Sequence, residues 1–442
     1  MTLKEELGAR AVVYTQRQRL TILVFALIGS VFDGASFSIF IYFLHPLSEY
    51  FHVSLFEMTL VQSMSYVTGI AGGWAFGFAA DRWGRRLGLT LTIGLFSLAT
   101  LASAFSPSYG VLFALRIVAG LGIGGESGIA AAYLNEAWRS EGRGLVNSFL
   151  QGMFILGGLV ATFLYQVTSA DDGSTAWRWA FGWIGLVAIL AMLVRLFMPE
   201  SKMWLEFRRR QDAGEVAPTR VSTIFAPEIR RATVTMSVLM IFAFWGAYSV
   251  ITYGPTMWES VYHSSSSRVA IIGYLASTVT FVSYLIWGGA SDRFGRRKMM
   301  IWGAVVGTAG YVFFAVIIGI GADTVSGSVG LGSLLVFYAY LWMEFGYGYV
   351  GVQGSWMAEL FPTEIRATAS NFAYYFGRGI GAGLVPLATL AIAQTYGGDA
   401  RAAIAMGAIG TAGVVAVSLF LPESRGKALQ LAVGNDESVV AE

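Results

Sequence analysis

Runs of about 20 or more mostly apolar residues recur along this chain, separated by short polar breaks, and each is long enough to cross a bilayer as a helix. They fall at 20–44, 55–80, 87–106, 109–137, 144–168, 177–198, 232–258, 269–291, 299–321, 329–358, 367–395 and 401–421. The pattern predicts an all-α membrane protein of twelve spans. One long polar segment, Ser201–Arg231, interrupts it and carries Arg208, Arg209, Arg210, Arg230 and Arg231. It divides the chain into a six-helix bundle at 1–200, a cytoplasmic linker at 201–231, and a second six-helix bundle with a polar tail at 232–442. The apolar run after the polar Met1–Arg19 is as long as a full span, so it reads as a retained first helix rather than a cleaved signal.

Basic residues settle the expected orientation, because Lys and Arg collect in cytoplasmic loops. Lys4, Arg10, Arg82, Arg85, Arg86, Arg139, Arg220, Arg293, Arg296, Arg297, Lys298 and the linker arginines all fall on the N-terminal side of the spans. The opposite side has Arg178, Arg268 and Arg401. Both termini are therefore expected in the cytoplasm.

The two halves repeat one another. Gly77-Phe-Ala-Ala-Asp81-Arg82-Trp-Gly84-Arg85-Arg86 follows span two, and Gly288-Gly-Ala-Ser-Asp292-Arg293-Phe-Gly295-Arg296-Arg297 follows span eight. Glu136 and Arg143 after span four match Glu359 and Arg366 after span ten; Pro199-Glu200-Ser201 matches Pro422-Glu423-Ser424. Three paired motifs in one order indicate a doubled six-helix unit.

Composition narrows the function classes. Hydrophobic residues make up 55% of the chain and charged residues 13%, against about 25% charged in soluble domains. Its 54 glycines suit spanning helices, where small residues let backbones approach. A net charge of +2 offers nothing to nucleic acid. With no Cys, disulfides, thiolate metal sites and a Cys nucleophile are excluded; with 3 His no all-His metal site is expected, and no enzyme is expected. The chain also lacks the Gly-x-x-x-x-Gly-Lys-[Ser/Thr] segment of direct ATP drive.

The doubled Asp-Arg-x-Gly-Arg-Arg loop resembles the mark of the major facilitator superfamily, along essentially the whole chain. Phe32-Asp33-Gly34, Arg116-x-x-x-Gly120-x-Gly122-x-Gly124-Gly125-Glu126, Tyr133-x-x-Glu136-x-Trp138 and Tyr375-Phe376-Gly377-Arg378-Gly379 are similar to the metabolite:proton symporters, the sialate and lactate permeases above all. That resemblance implies a proton-coupled symporter of a small organic acid, such as a monocarboxylate or sialate, working by alternating access. It implies an anionic solute, protons and membrane lipid as partners, no cofactor, a monomer, and a bacterial inner membrane. Two departures keep alternatives open. The usual Asp-Gly-Phe-Asp reads Asp33-Gly34-Ala35-Ser36 here, so a second carboxylate is missing, and the Pro-Glu-Ser motif is shared with sugar porters. Aromatic-acid symporters share the span-one Asp, and a uniporter or sensor on the same fold would have the same sequence marks.

Charges at mid-membrane are the functional candidates, since their burial is costly. At 1.5 Å rise per residue, Asp33 lies about 20 Å from one end of its span and Arg116 about 10 Å from the opposite end of span four, so their depths coincide. Asp33 is expected to carry the proton with Arg116 competing for it, or the two form a fixed ion pair. Glu126, about 80° around span four from Arg116, is a second proton site or a loop anchor. Glu344 in span ten and Arg378 in span eleven form another mid-depth pair. Asn371, Tyr374, Tyr375 and Arg378 share one helical face, which offers a guanidinium, an amide and two rings to an acid; Gln151 and Tyr248 lie on polar faces of spans five and seven. Asp81, Arg85 and Arg86, with Asp292, Arg296, Arg297, Glu136 and Glu359, are expected to form a conformational latch in which Asp81 pairs with helix ends or arginines of the other half, or else only to enforce topology.

Overall fold

The computed structural model describes residues 14–138, 142–168, 175–215, 221–264, 266–320, 331–395, 397, 399–427, 429–430 and 438–439. Lys4, Arg10, Arg139 and Arg220 lie outside the described residues. The first half holds helices Gln16–Tyr42, Leu55–Trp83, Arg85–Ser103, Tyr109–Ala137, Arg143–Thr168 and Ala176–Arg195, which are spans one to six. Span seven is Arg230–Thr256, span eight Ser266–Phe294 and span nine Arg296–Gly319. Span ten combines Leu331–Tyr347, a 3₁₀ turn at Gly348–Val352 and Gln353–Leu360. Span eleven runs Arg366–Arg378, then a π-helical turn at Gly379–Leu384, then Val385–Thr395; span twelve is Ala400–Ala405 with Gly407–Ser418. Ten of these helices are long and apolar enough to cross a membrane by themselves. Span two, with Gln62, Ser63, Ser65, Tyr66 and Thr68 inside its apolar run, and span ten, broken at Gly348–Val352, are the other two. β structure among the described residues is a two-residue antiparallel pairing of Leu429–Gln430 with Ser438–Val439.

The helices begin and end where local chemistry requires. Thr15 and Ser54 each close a capping box, with Gln18 and Glu57, at the starts of spans one and two. Gly84 and Gly295 turn the chain into spans three and nine at φ of 110° and 109°, a conformation that a Cβ opposes. Inside the bundle, glycine sets the spacing: a Cβ on Gly72 would lie 1.9 Å from the Leu121 carbonyl oxygen, and one on Gly34 2.0 Å from that of Phe154. Large apolar side chains such as Leu98, Phe163, Leu190, Trp302 and Ile409 point outward and are exposed, as they would be toward acyl chains. The linker helix Lys202–Asp212 lies at the motif-bearing end, where Trp204 Nε1 donates to the Asp81 carbonyl at 2.7 Å. Its Glu206 takes both Arg209 and Arg210, which pushes that carboxyl down to about 2.

Among the contacts that join the sequence halves at the motif side are two close helix approaches. Gly77 of span two lets the start of span eleven approach so closely that a Cβ would sit 2.8 Å from Thr368 Cα. Span five meets span eight likewise, a Cβ on Gly144 falling 2.4 Å from the Gly288 carbonyl oxygen. These paired approaches bring the repeated motifs onto the helices they face.

Candidate functional site

Arg378 is the last residue before span eleven changes from α to π geometry, and it is buried. Its guanidinium carbon lies 4.6 Å from the Phe37 ring centre, 5.0 Å from Phe154 and 5.5 Å from Tyr66, distances at which a cation is attracted to ring faces. Nη2 donates to the Tyr248 hydroxyl at 3.3 Å. Nε and Nη1 are buried and have no hydrogen-bond partner among the described residues. Tyr248 stands edge-on to Tyr66 and Phe244, and Tyr374 packs on Phe244 and Tyr375. Gln151 reaches the Tyr374 hydroxyl from span five.

Asp33 faces this aromatic chamber from span one. Tyr375 donates to Ser127 Oγ at 3.2 Å, and Ser127 Oγ donates to Asp33 Oδ2 at 3.4 Å. Asp33 Oδ1 is buried without a partner. Among the cations that act on Asp33, Arg378 is the strongest. The chamber thus brings together one carboxyl and one guanidinium from opposite halves, each with unused hydrogen-bonding atoms.

Three expected pairings are corrected. Arg116 does not meet Asp33: its Nη2 and Nε donate to Ser103 Oγ at 2.9 and 3.2 Å, and it lies over Phe181 and Phe40. The face of span four that bears Arg116 turns toward spans three and six. Glu344 does not neutralise Arg378; its contact is Thr280 of span eight, at 2.5 Å. Asn371 leaves the acid-binding face and donates to the Gly125 carbonyl at 3.1 Å, in a gap that a Cβ on Gly128 would fill. Of the two readings of Glu126, neither anticipated its partner. Arg195 of span six binds it at 2.5 and 2.9 Å and Thr92 donates to it at 3.0 Å. Gly29 admits the pair, since a Cβ there would lie 1.6 Å from Arg195 Nη2. A single Arg near the end of span six, costly unless paired, was the signal available in the sequence.

The second site is at the motif side. Asp81 accepts from the Thr368 N–H at 2.7 Å, the Thr368 hydroxyl at 2.6 Å and the Ala367 N–H at 3.2 Å, and it pairs with Arg85. Those N–H groups are free because they open span eleven, where the helix dipole also favours an anion. Arg85 continues to Glu136 at 2.9 Å and to the Thr363 carbonyl at 2.9 Å, and Arg366 also reaches Glu136 at 2.9 Å. The repeat does the same in the other direction. Asp292 accepts the Gly144 and Leu145 N–H groups that open span five, at 2.8 and 3.0 Å, and binds Arg296 at 2.5 Å, which goes on to Glu359 at 2.9 Å. Arg86 and Arg297 take part through backbone N–H groups donated to Glu200 and Glu423, at 3.2 Å each. Glu200 and Glu423 were not singled out in the sequence as site residues; each caps the helix that follows the glycine turn, and the neighbouring Ser201 and Ser424 hydroxyls donate to Glu136 and Glu359 at 2.6 and 2.7 Å. The Asp–Arg–Glu chain, the helix-opening N–H donors and the Glu–Ser cap of this clasp thus occur twice, related by the internal repeat.

Comparison with known proteins agrees with this architecture. The chain is 29% identical over 407 residues to a probable 4-methylmuconolactone transporter of Cupriavidus pinatubonensis, covering 91% of this chain and 90% of that one. It is 28% identical over 416 residues to the cis,cis-muconate transport protein of Acinetobacter baylyi, covering 91% and 94%. A solved proton:xylose symporter with 6-bromo-6-deoxy-D-glucose bound superposes with a TM-score of 0.78 at 19% identity, over 94% of this chain and 98% of that one, and so shares the fold. The sequence profile of the Major Facilitator Superfamily matches residues 26–386. This multi-pass membrane transporter, built of twelve spans, belongs to the Major Facilitator Superfamily.

Proposed function

We propose that the transporter moves a small organic acid together with a proton, the acid's carboxylate held by Arg378 and the proton carried by Asp33. The observation that carries this reading is Arg378 itself: a buried guanidinium, stacked on three rings, with two nitrogens unpartnered. Such a group binds a carboxylate through two parallel hydrogen bonds in a fixed plane. The rings beside it suit a flat, unsaturated acid, and the names of the two relatives above denote solutes of that kind.

Proton coupling follows from charge. One guanidinium balances one carboxylate in a medium of low dielectric. When the solute's carboxylate arrives at Arg378, Asp33 becomes an excess negative charge, and taking up a proton restores neutrality. Anion and proton therefore bind with mutual reinforcement, and coupling of this kind is typically about 1–3 kcal/mol. Ser127 and Tyr375 hold Asp33 in place from span four and span eleven.

The motif side is the cytoplasmic side in this reading, with both termini there and the protein in a bacterial inner membrane as a monomer. The halves 1–200 and 232–442 rock about the site, joined by the linker 201–231, and the Asp81 and Asp292 clasps hold the cytoplasmic side shut until solute and proton are both loaded. Calorimetry on the purified protein tests the carboxylate clamp, with a panel of cis,cis-muconate, benzoate, lactate, sialate and glucose. Arg378→Lys keeps the charge and loses the planar fork, so acid affinity is expected to fall roughly tenfold or more, about 1.4 kcal/mol. An acid bound as tightly by Arg378→Lys as by the native protein, or glucose as the tightest ligand, would contradict the reading.

A further inference from the structure

Glu344 is buried in span ten at 4% exposure with no cation to balance it. The groups that feel its charge are phenols: Tyr284 of span eight, Tyr311 of span nine and Tyr340 of span ten. Among the described residues no Lys, Arg or His forms an ion pair with it, and Thr280 is its hydrogen-bond partner. An ionised carboxyl so placed costs several kcal/mol, whereas a protonated one is an ordinary buried polar group.

The hydrogen bonding available to Glu344 is slight. Thr280 Oγ1 donates to Glu344 Oε2 at 2.5 Å and also lies 2.9 Å from the Ala276 carbonyl oxygen one turn back. A threonine hydroxyl has one proton to donate, so among the described residues one neutral hydroxyl, shared with a carbonyl, faces a buried carboxyl.

Glu344 also sits on elements that must move. Span ten leaves α geometry four residues later, at Gly348–Val352. Within that turn the Gly351 carbonyl accepts from Ser148 of span five at 3.0 Å. Span eight, which carries Thr280, is locked to span five through Gly288 and Asp292. In the rocking motion proposed above, spans eight and ten would part from span five at the motif side, and water would reach Glu344 through that opening.

We infer that Glu344 is a second proton-binding site, loaded while the motif side is closed and emptied when it opens, so that each solute crosses with two protons. The inference rests on the proton-coupled reading above and adds a proton to it. A monocarboxylate with one proton crosses without net charge; with two it carries one positive charge inward. The membrane potential then becomes a driving force.

The test is accumulation of a labelled monocarboxylate (benzoate, lactate or sialate, whichever counterflow shows to be carried) in proteoliposomes with equal pH on both sides and an imposed potassium diffusion potential. The native protein is expected to accumulate solute about tenfold for a tenfold potassium gradient. Glu344→Gln is expected to keep counterflow and pH-driven uptake while its potential-driven accumulation falls to a ratio of about one. A native protein blind to the potential overturns the two-proton inference and leaves Asp33 coupling intact. So does a Glu344→Gln variant that responds to the potential as the native protein does. Where Glu344→Gln does not fold, the native result decides. Native transport that ignores both the potential and a pH gradient removes the proton-coupled reading itself.

Discussion

The motif-side clasp and the central chamber are both buried and both charged, and they differ in whether their charges are satisfied. In the clasp, Asp81 takes three donors from span eleven besides Arg85, and Glu136 takes two arginines and a serine. In the chamber, Arg378 has one hydrogen-bond partner and Asp33 one long one. A fully satisfied network holds structure together, whereas spare donors and acceptors beside aromatic faces await something that arrives. The contrast separates holding from binding without reference to any relative.

Substitutions sharpen the contrast. Arg85→Ala leaves Asp81 and Glu136 buried beside a lost partner, and breaking a buried pair in this way costs about 3–5 kcal/mol. The thermal midpoint in detergent is expected to drop accordingly; an unchanged midpoint would mean that the clasp carries no load. Asp81→Asn is milder, since the amide oxygen still accepts while its NH2 faces the donors of span eleven. A cost of about 1–3 kcal/mol is expected, together with longer distances between spin labels on the motif-side ends of spans two and eleven. Identical distance distributions would leave the loop motif only its topological role. The same exchange in the chamber, Asp33→Asn, is expected to cost less stability than Asp81→Asn, since Asp33 accepts one long hydrogen bond where Asp81 accepts three donors besides Arg85, yet to end uphill accumulation while solute exchange survives. An Asp33→Asn variant destabilised as much as Asp81→Asn would place Asp33 among structural charges instead.

Much of this was legible in the sequence, for physical reasons that also set its limits. Spans appear as apolar runs because the bilayer admits little else, and the repeated motifs show in the chain because they bind helix ends at fixed positions. Asp33 and Arg378 stand out for their cost at mid-depth. Their neighbours did not, because rise along a helix gives depth while the direction a residue faces depends on how the helices pack. Arg116 meets Ser103 and Phe181, whereas Asp33 meets Ser127. Glu200 and Glu423 read as half of a repeat and not as caps, since their targets, the N–H groups after Gly84 and Gly295, come near only when the loop folds. The π turn after Arg378 has no marker in the sequence beyond a cluster of glycines. Arg195 was visible as a lone charge in span six, and its match with Glu126 required knowing that spans four and six touch.

The central claim is that solute and proton meet in one chamber, the anion on Arg378 and the proton on Asp33. Proton uptake on binding tests it most directly, measured with a pH indicator in weakly buffered detergent solution at mildly alkaline pH as a carried acid is added. Binding that consumes a proton must weaken as pH rises, so affinity should fall toward alkaline pH in parallel with the uptake. Uptake approaching about one proton per acid bound is expected in the native protein and none in Asp33→Asn. Acid binding with no proton uptake in the native protein at any pH, or equal uptake in Asp33→Asn, would contradict it.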